Sequence, residues 1–387
     1  MADSLPQGVP LPAPVAIARV ESFVLRVPIG VPVRTSFGLM HERPALLIRL
    51  AAADGGEGWG EVWCNFPACG AEHRARLVET IFRPLLEGQE VEGPAAATAA
   101  LERATRILAV QSGEPGPFAQ VIAGIDCALW DLAARRAEVP LWRLLGGAGE
   151  AVIPAYASGI NPELSLDTIA AQRAKGHRAF KIKVGFDAAR DVDTIAAARD
   201  LLGAEPMLMA DANQAWTVAQ AAEICTAFAE QRLAWIEEPL PADSPRRAWS
   251  ALRKRISLPI AAGENLRGTE AFTAMTRAGL LDIVQPDCAK WGGVTGCLAV
   301  ARAALAQGLR YCPHYLGAGI GLAHSAHLLK AAGGDGLLEI DVNDNPLRAE
   351  MAPWSLSPVE GTVRLPEGPG IGPAPDPRLL ARCSAPR

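Results

Sequence analysis

Lys181 and Lys183 stand two apart in the stretch Phe180-Lys181-Ile182-Lys183-Val184-Gly185. The stretch is apolar and β-branched, with a glycine just past its end, which is the make-up of a short strand. Side chains two apart on a strand share a face, so both amines point the same way. Each positive charge disfavours the other, which lowers a lysine's pKa and makes it a usable general base near neutral pH. The alternative is a solvated edge strand that carries its charges into water. Downstream, single polar residues follow a series of short apolar stretches: Asp211, Glu237, Glu264, Asp287, His314 and Glu339. Asp211, Glu237 and Glu264 come after three consecutive stretches. Taken singly, each could be the N-cap of a helix. Brought to one volume, three carboxylates stay ionised only if a cation neutralises them. Oxygen donors with no Cys or His among them suit Mg2+, with Mn2+ as the alternative, better than Zn2+. Asp287 and His314 follow adjacent stretches. A carboxylate bonded to one imidazole nitrogen fixes the tautomer and raises the basicity of the ring, leaving the other nitrogen to handle a proton. A buried structural His–Asp pair is the competing reading.

Chemistry of this kind needs elements that carry all these residues to one place. Short apolar strands are expected at 152–156, 179–184, 207–210, 233–236, 259–262, 282–285, 310–312 and 337–340, with helical stretches such as 193–202, 218–230 and 294–307 between them. Eight βα units in succession predict a (β/α)8 barrel, whose reactive groups sit at the carboxyl ends of the strands. A doubly wound sheet is the alternative, but no G-x-G-x-x-G follows a first strand. Ahead of the barrel, strands at 17–27, 45–53 and 58–62 predict a small antiparallel sheet. Two loops, 30–40 and 63–70, interrupt it with mixed aromatic, small and polar residues, Arg34, Thr35, Ser36, Phe37, Asn65 and Phe66 among them. Helical periodicity marks 72–86, 94–108 and 118–137. The expected organisation is a flexible tail at 1–15, an α+β capping domain at 16–149, the barrel at 150–345, and a segment at 346–387 that returns to the cap. His324 and His327, three apart on a helix, are expected to face packing or solvent. His177, His41 and His73 fall in or near loops. Lys290, Trp291, Gly292 and Gly293 read as a tight loop over the site.

The 387 residues leave room for a barrel plus a second unit. A formal net charge of −5 gives no reason to expect nucleic acid or an anionic membrane as partner. No membrane span and no export signal are read, and the eight scattered cysteines contain no C-x-x-C pair. Free thiols in a reducing cytoplasm are the expectation.

These strand-end signatures resemble the enolase superfamily, in its mandelate racemase/muconate lactonizing enzyme group. The likeness runs from Ile17 to Pro346 and includes the cap-helix stretch Gly124-Ile-Asp-Cys-Ala-Leu-Trp-Asp131. It implies that Lys181 and Lys183 supply a base, with Lys183 facing the substrate. It implies that Asp211, Glu237 and Glu264 bind the metal, with Glu238 behind them, and that Asp287 and His314 form the dyad of the mandelate racemase subgroup. It implies that Glu339 donates a hydrogen bond to the substrate carboxylate and that Asn213 contacts the substrate or a metal-bound group. The lactonizing branch would carry a lysine at position 287, so Asp287 argues against that branch. The implied chemistry is abstraction of the proton α to a carboxylate through an enolate, in an acid-sugar dehydratase or, as the alternative, a racemase or epimerase of a 2-hydroxy acid. A non-catalytic barrel that binds an acid is the weakest reading. The implied partner is a small hydroxy-carboxylate or sugar acid, and the implied assembly a symmetric homo-oligomer.

Overall fold

A computed structural model describes residues 14–35 and 38–385. The expected tail at 1–15 lies almost wholly outside these residues, as do Ser36 and Phe37. The cap sheet is antiparallel, in the order β3-β2-β1-β4, formed by β1 (Val15–Thr35), β2 (Gly38–Ala52), β3 (Glu57–Val62) and β4 (Glu90–Val91). β1 and β2 make one long hairpin. Most of the stretch read as a loop at 30–40 belongs to it: a register shift between Pro28 and Val33 absorbs the Pro and Gly residues, and pairing resumes at Val33↔Met40 and ends at Thr35↔Gly38. The sequence pattern breaks at Pro28 and Gly30, but the ladder continues past them.

Alternate residues of β2 feed two cores, because neighbouring side chains on a strand point to opposite faces. Leu46, Ile48 and Leu50 pack with Val121, Ile125 and Leu129 of the helix Pro115–Arg136. Ala45 and Leu47 pack with Trp59, Val294 and Ile320, and so tie the cap to the barrel. Pro115–Arg136 has the length and hydropathy of a membrane span, yet 89% of its apolar window is buried inside the protein. It lies directly on β3 because Gly60 leaves space: a Cβ there would stand 2.0 Å from the Gly124 carbonyl oxygen.

The helix carries two buried acids. Asp131 accepts the Trp59 N–H at 2.9 Å, the Arg135 Nε–H at 2.8 Å and the Ile371 N–H at 2.9 Å, which fastens the returning C-terminal segment to the cap. Asp126, 0% exposed, accepts from Thr98 Oγ1 at 2.7 Å, and from the backbone N–H and Oγ1 of Thr295. All its donors are neutral, and burial pushes its carboxyl up to about 6. An acid raised above its unfolded value stabilises the fold in its neutral form. That contribution is complete below about pH 4 and is lost as the pH climbs through about 6, a change of about 3 kcal/mol. Asp126→Asn is expected to flatten this part of the stability curve. Denaturant unfolding of both proteins between pH 4 and 7.5 checks it, and parallel curves would refute it.

The second sheet curls through eight parallel strands: β5 (Val152–Ile160), β6 (Ala179–Lys183), β7 (Met207–Asp211), β8 (Ile236–Glu237), β9 (Ile260–Ala262), β10 (Ile283–Val284), β11 (Arg310–Tyr311) and β12 (Leu338–Asp341). Their order is β11-β10-β9-β8-β7-β6-β5-β12, the curled sheet of a (β/α)8 barrel. All eight expected strands are present, several of them cut to two residues. Among the described residues no ladder joins β11 to β12. The seam closes on the Leu337 N–H, which Cys312 Sγ accepts at 3.4 Å, and on close contact: a Cβ at Gly336 would stand 1.8 Å from the Tyr311 carbonyl oxygen. A last strand, β13 (Thr362–Arg364), pairs antiparallel with β5. The helix Ala188–Leu202 starts five residues before the predicted 193 because the Asp187 side chain caps it by accepting the Arg190 N–H. The tract past Val342 holds two short α-helices, Pro346–Met351 and Pro377–Cys383.

Candidate active site

Inward-facing positions of the barrel change character along each strand. Low in the barrel, Tyr156, Ala179, Met209, Trp235, Ala261, Ile283, Cys312 and Leu337 form an apolar floor. Two residues further along, the same rows reach Lys181, Asp211, Glu237, Gln285, His314 and Glu339. The period of two therefore converts a run of strands into an apolar plug with a polar layer on top. Register aligns the layer: Lys183 pairs with Asp211 across β6 and β7, and Asp211 with Glu237 across β7 and β8.

The layer is a closed network of opposite charges. Lys181 is 1% exposed, with Nζ 2.7 Å from both carboxylate oxygens of Glu237, 2.7 Å from Glu339 Oε1 and 3.9 Å from Asp211 Oδ2. Lys183 Nζ lies 2.6 Å from Asp211 Oδ2. Glu264 Oε2 meets His314 Nε2 at 2.7 Å, while Glu264 Oε1 accepts from Asn265 Nδ2 at 2.8 Å and faces Lys290 Nζ at 3.3 Å. His314 Nδ1 lies 2.7 Å from Asp287 Oδ2, and the other Asp287 oxygen accepts the Ala289 N–H at 2.8 Å. The dyad is present, and Asp287 orients the ring from behind.

The lysines differ from their expected ionisation. Burial pushes the Lys181 ammonium down, but Glu237, Glu339 and Asp211 push it up by more, so it sits well above its ordinary value. Burial and Lys181 press Lys183 down, and Asp211 outweighs them, so Lys183 is raised too. Crowding between the two amines is real but smaller than the pull of their carboxylates. His314 follows the same logic: burial lowers it, and Glu264, Glu339 and Asp287 raise it well above the usual imidazole range. Burial pushes the Glu237 carboxyl up to about 7 despite Lys181. Burial also opposes charge on Glu264, yet His314 and Lys290 hold it well below the carboxylate range.

Glu339 lies in the layer, with Ser158 Oγ donating to Oε1 and the Tyr315 N–H to Oε2 at 3.0 Å. Burial opposes its charge, but Lys181 and His314 outweigh burial and hold it below the usual carboxylate range. Asn213 adopts φ 43° and gives its N–H to Asp211 Oδ1 at 2.9 Å. Glu238, at φ 39°, accepts from Asn265 Nδ2 at 2.9 Å behind Glu264. His324 and His327 are both fully buried in packing, and His324 bonds the carbonyls of Ile320 and Cys127.

Among the described residues, no three His, Cys, Asp or Glu side chains stand at metal-ligand geometry. Asp211, Glu237 and Glu264 are turned onto Lys183, Lys181 and His314 instead. The donor set itself fits a hard divalent cation: three carboxylates, oxygen only, at the ends of three neighbouring strands, with Asp211 and Glu237 buried and Glu264 12% exposed.

Sequence reasoning gave no role to Gln285 or Asn265, and read Lys290 only as part of a loop. Gln285 Nε2 donates to Glu237 Oε2 at 2.6 Å. Its signal is the inward row Ile283, Gln285, Asp287. Lys290 bonds Asn265 Oδ1 at 2.8 Å and lies 4.8 Å from the centre of the ring of Trp63, the residue after β3 of the cap. At the hairpin end, Arg34 stacks on Phe186 at 5.1 Å and meets Glu163 at 3.0 Å.

A parallel barrel with an α+β cap, and a ring of acids and bases at its strand ends, has the layout of a barrel enzyme that moves protons at the carboxyl ends of its strands. Comparison with known proteins gives the family. Residues 166–379 match the model of the enolase C-terminal domain-like family, and residues 19–146 that of the mandelate racemase/muconate lactonizing enzyme N-terminal domain. The chain belongs to the mandelate racemase/muconate lactonizing enzyme family of the enolase superfamily. It is 30% identical to D-galactarolactone cycloisomerase of Agrobacterium fabrum, over 92% of this chain and 95% of that protein. A mandelate racemase/muconate lactonizing enzyme from Bordetella bronchiseptica superposes with a TM-score of 0.91 at 52% identity, covering 96% of this chain and all of that one. An enolase from Bradyrhizobium complexed with magnesium and mandelic acid has a TM-score of 0.84 at 30% identity, covering 97% and 99%. Other similar proteins are a muconate cycloisomerase, an arabinonate dehydratase and an N-succinylamino acid racemase.

Proposed function

We propose that this enzyme removes the proton α to the carboxylate of a sugar acid and then expels an oxygen from the β-carbon, as an acid-sugar dehydratase does. Lys183 and His314 handle the protons, and Asp211, Glu237 and Glu264 hold Mg2+, with Mn2+ as the alternative. The observation that carries the reading is that Lys183 and His314 border one set of carboxylates, Lys183 against Asp211 and His314 against Glu264. Asp211, Glu237 and Glu264 would hold a divalent cation, which would supply positive charge where the substrate carboxylate gains electrons, while Lys183 and His314 handle the protons.

One of the two groups takes the α-proton, and the C–H electron pair moves towards the carboxylate as an enolate. Those electrons then form the Cα–Cβ double bond as the Cβ–O bond breaks. The departing oxygen takes a proton from His314, which Asp287 keeps in the required tautomer. The enol product tautomerises to a 2-keto acid. Lys181 anchors Glu237 and Glu339, and Asn213 and Glu339 are the polar groups assigned to the substrate.

The sugar-acid class rests on the relatives, whose names include a galactarolactone cycloisomerase and an arabinonate dehydratase. An elimination that breaks the Cβ–O bond opens a ring when that oxygen belongs to a lactone and releases water when it is a hydroxyl. Asp287 at the lysine position of the lactonizing branch supports elimination over lactonization. Racemisation is the second reading, favoured by the pairing of an amine on β6 with an imidazole past β11. The test is incubation with Mg2+ in D2O and a panel of sugar acids and 2-hydroxy acids. A 2-keto product supports elimination. Deuterium at Cα with inversion supports racemisation, and neither outcome refutes both.

Lys290 gives a separate test of the metal site. Its ammonium lies 3.3 Å from a carboxylate oxygen assigned to the cation. Lys290→Met removes a competing charge and is expected to tighten Mg2+ binding by up to about tenfold in calorimetric titration. Unchanged or weaker binding would contradict the assignment of Glu264.

A further inference from the structure

Glu61 belongs to the cap, yet it acts on the barrel segment that carries His314. It lies on β3 and is 3% exposed. Oε1 accepts the Ala318 N–H at 2.6 Å, and Oε2 accepts the Gly321 N–H at 2.9 Å. Both donors lie at the start of the helix Gly319–Ala332, where backbone N–H groups lack partners within the helix and favour a negative charge. His314 opens the segment that leads into this helix.

The segment between has little regular pairing of its own, since β11 ends at Tyr311 and Pro313 gives no N–H. Side chains from elsewhere hold it. Tyr315 gives its N–H to Glu339, and its phenol oxygen lies beside Glu61 without a hydrogen bond of ordinary geometry. The Leu316 carbonyl accepts from Asn65 of the cap at 2.5 Å. Two glycines make room for the arrangement. A Cβ at Gly317 would stand 2.4 Å from the Tyr315 hydroxyl oxygen and 2.7 Å from Glu61 Oε1, and one at Gly321 would stand 2.3 Å from the same hydroxyl.

We propose that Glu61 is a positioning residue for His314: through Ala318, Gly321 and Tyr315 it holds the 314–321 segment so that the imidazole ring faces the reacting carbon, and thereby makes imidazole chemistry conditional on a docked cap. The inference rests on the proposed function, with Lys183 on β6 and His314 past β11 reaching the α-carbon from opposite faces. Lys183 sits on the regular strand β6 and has no such dependence on the cap acid, so loss of Glu61 affects one face and spares the other.

The experiment is α-proton exchange in D2O with Mg2+, using the C2-epimeric pairs galactonate/talonate and gluconate/mannonate. Wild type, Lys183→Ala and His314→Asn identify which epimer reports on which face. In Glu61→Gln, exchange on the imidazole face is expected to fall by about tenfold or more, with the lysine face and KM within about twofold of wild type. Backbone amides of 315–321 are expected to exchange faster by mass spectrometry. Gly317→Ala, whose methyl would intrude on Tyr315 and Glu61, is a second variant expected to give the same one-sided loss if Glu61→Gln does not fold. Equal loss on both faces, or no loss, overturns the role of Glu61. If wild type exchanges none of the four acids, or if Lys183→Ala and His314→Asn each leave both faces intact, the two-faced reading fails and takes this one with it.

Discussion

Lys183→Ala is expected to lower turnover by about 10^2- to 10^4-fold, the usual worth of a positioned general base or acid. His314→Asn is expected to do the same from the other side. The two variants should differ in what survives. With one group gone, the remaining one can still exchange the α-proton of a substrate that presents it on the right face. Each variant should therefore keep deuterium incorporation with one stereoisomer and lose it with the other. Elimination should collapse in His314→Asn even where exchange persists, because the leaving oxygen loses its proton donor. Circular dichroism and thermal unfolding separate this from a folding defect, since Lys183 is only partly buried and Asn preserves much of the bulk of His. If both variants retain full activity, the base assignment is wrong.

Removal of divalent cations is expected to have an effect of similar or greater size. Chelation by EDTA should reduce turnover by at least about 10^3-fold, and added Mg2+ should restore it. Asp211→Asn and Glu264→Gln should weaken Mg2+ binding by about tenfold or more in calorimetric titration, independently of any assay of turnover. The physical ground is the present network, in which each of the three carboxylates already has a cation of the protein against it. Loss of one acid leaves Lys183 or His314 without its partner as well as removing a ligand. Activity that survives exhaustive chelation would exclude the metal reading.

Much of the site was legible before any coordinates. Short apolar strands with a single polar residue past each end mark the barrel, because inward positions alternate and the carboxyl ends open to the site. That rule alone located Asp211, Glu237, Glu264, Asp287, His314 and Glu339. The family resemblance added expected roles, and the comparisons establish the family. The cap was less legible. Pro28 and Gly30 look like the end of a strand, yet the β1–β2 ladder continues through a shift to Thr35. Local sequence signals breakage there, and pairing with β2 overrides it.

The chain alone determined which residue types would stand in the polar layer and on which strand, since both follow from a period of two and a fixed order of elements. Tertiary structure decided which charges meet. Lys181 binds Glu237, 56 residues away, and the Glu61 carboxylate holds the Ala318 N–H, 257 residues away. It also decided the sign of the lysine shifts. Two neighbouring amines in a sequence predict mutual repulsion. In the fold, carboxylates from other strands lie nearer to each amine than the second amine's charge can offset. Such balances depend on distances between elements, and no local pattern encodes them.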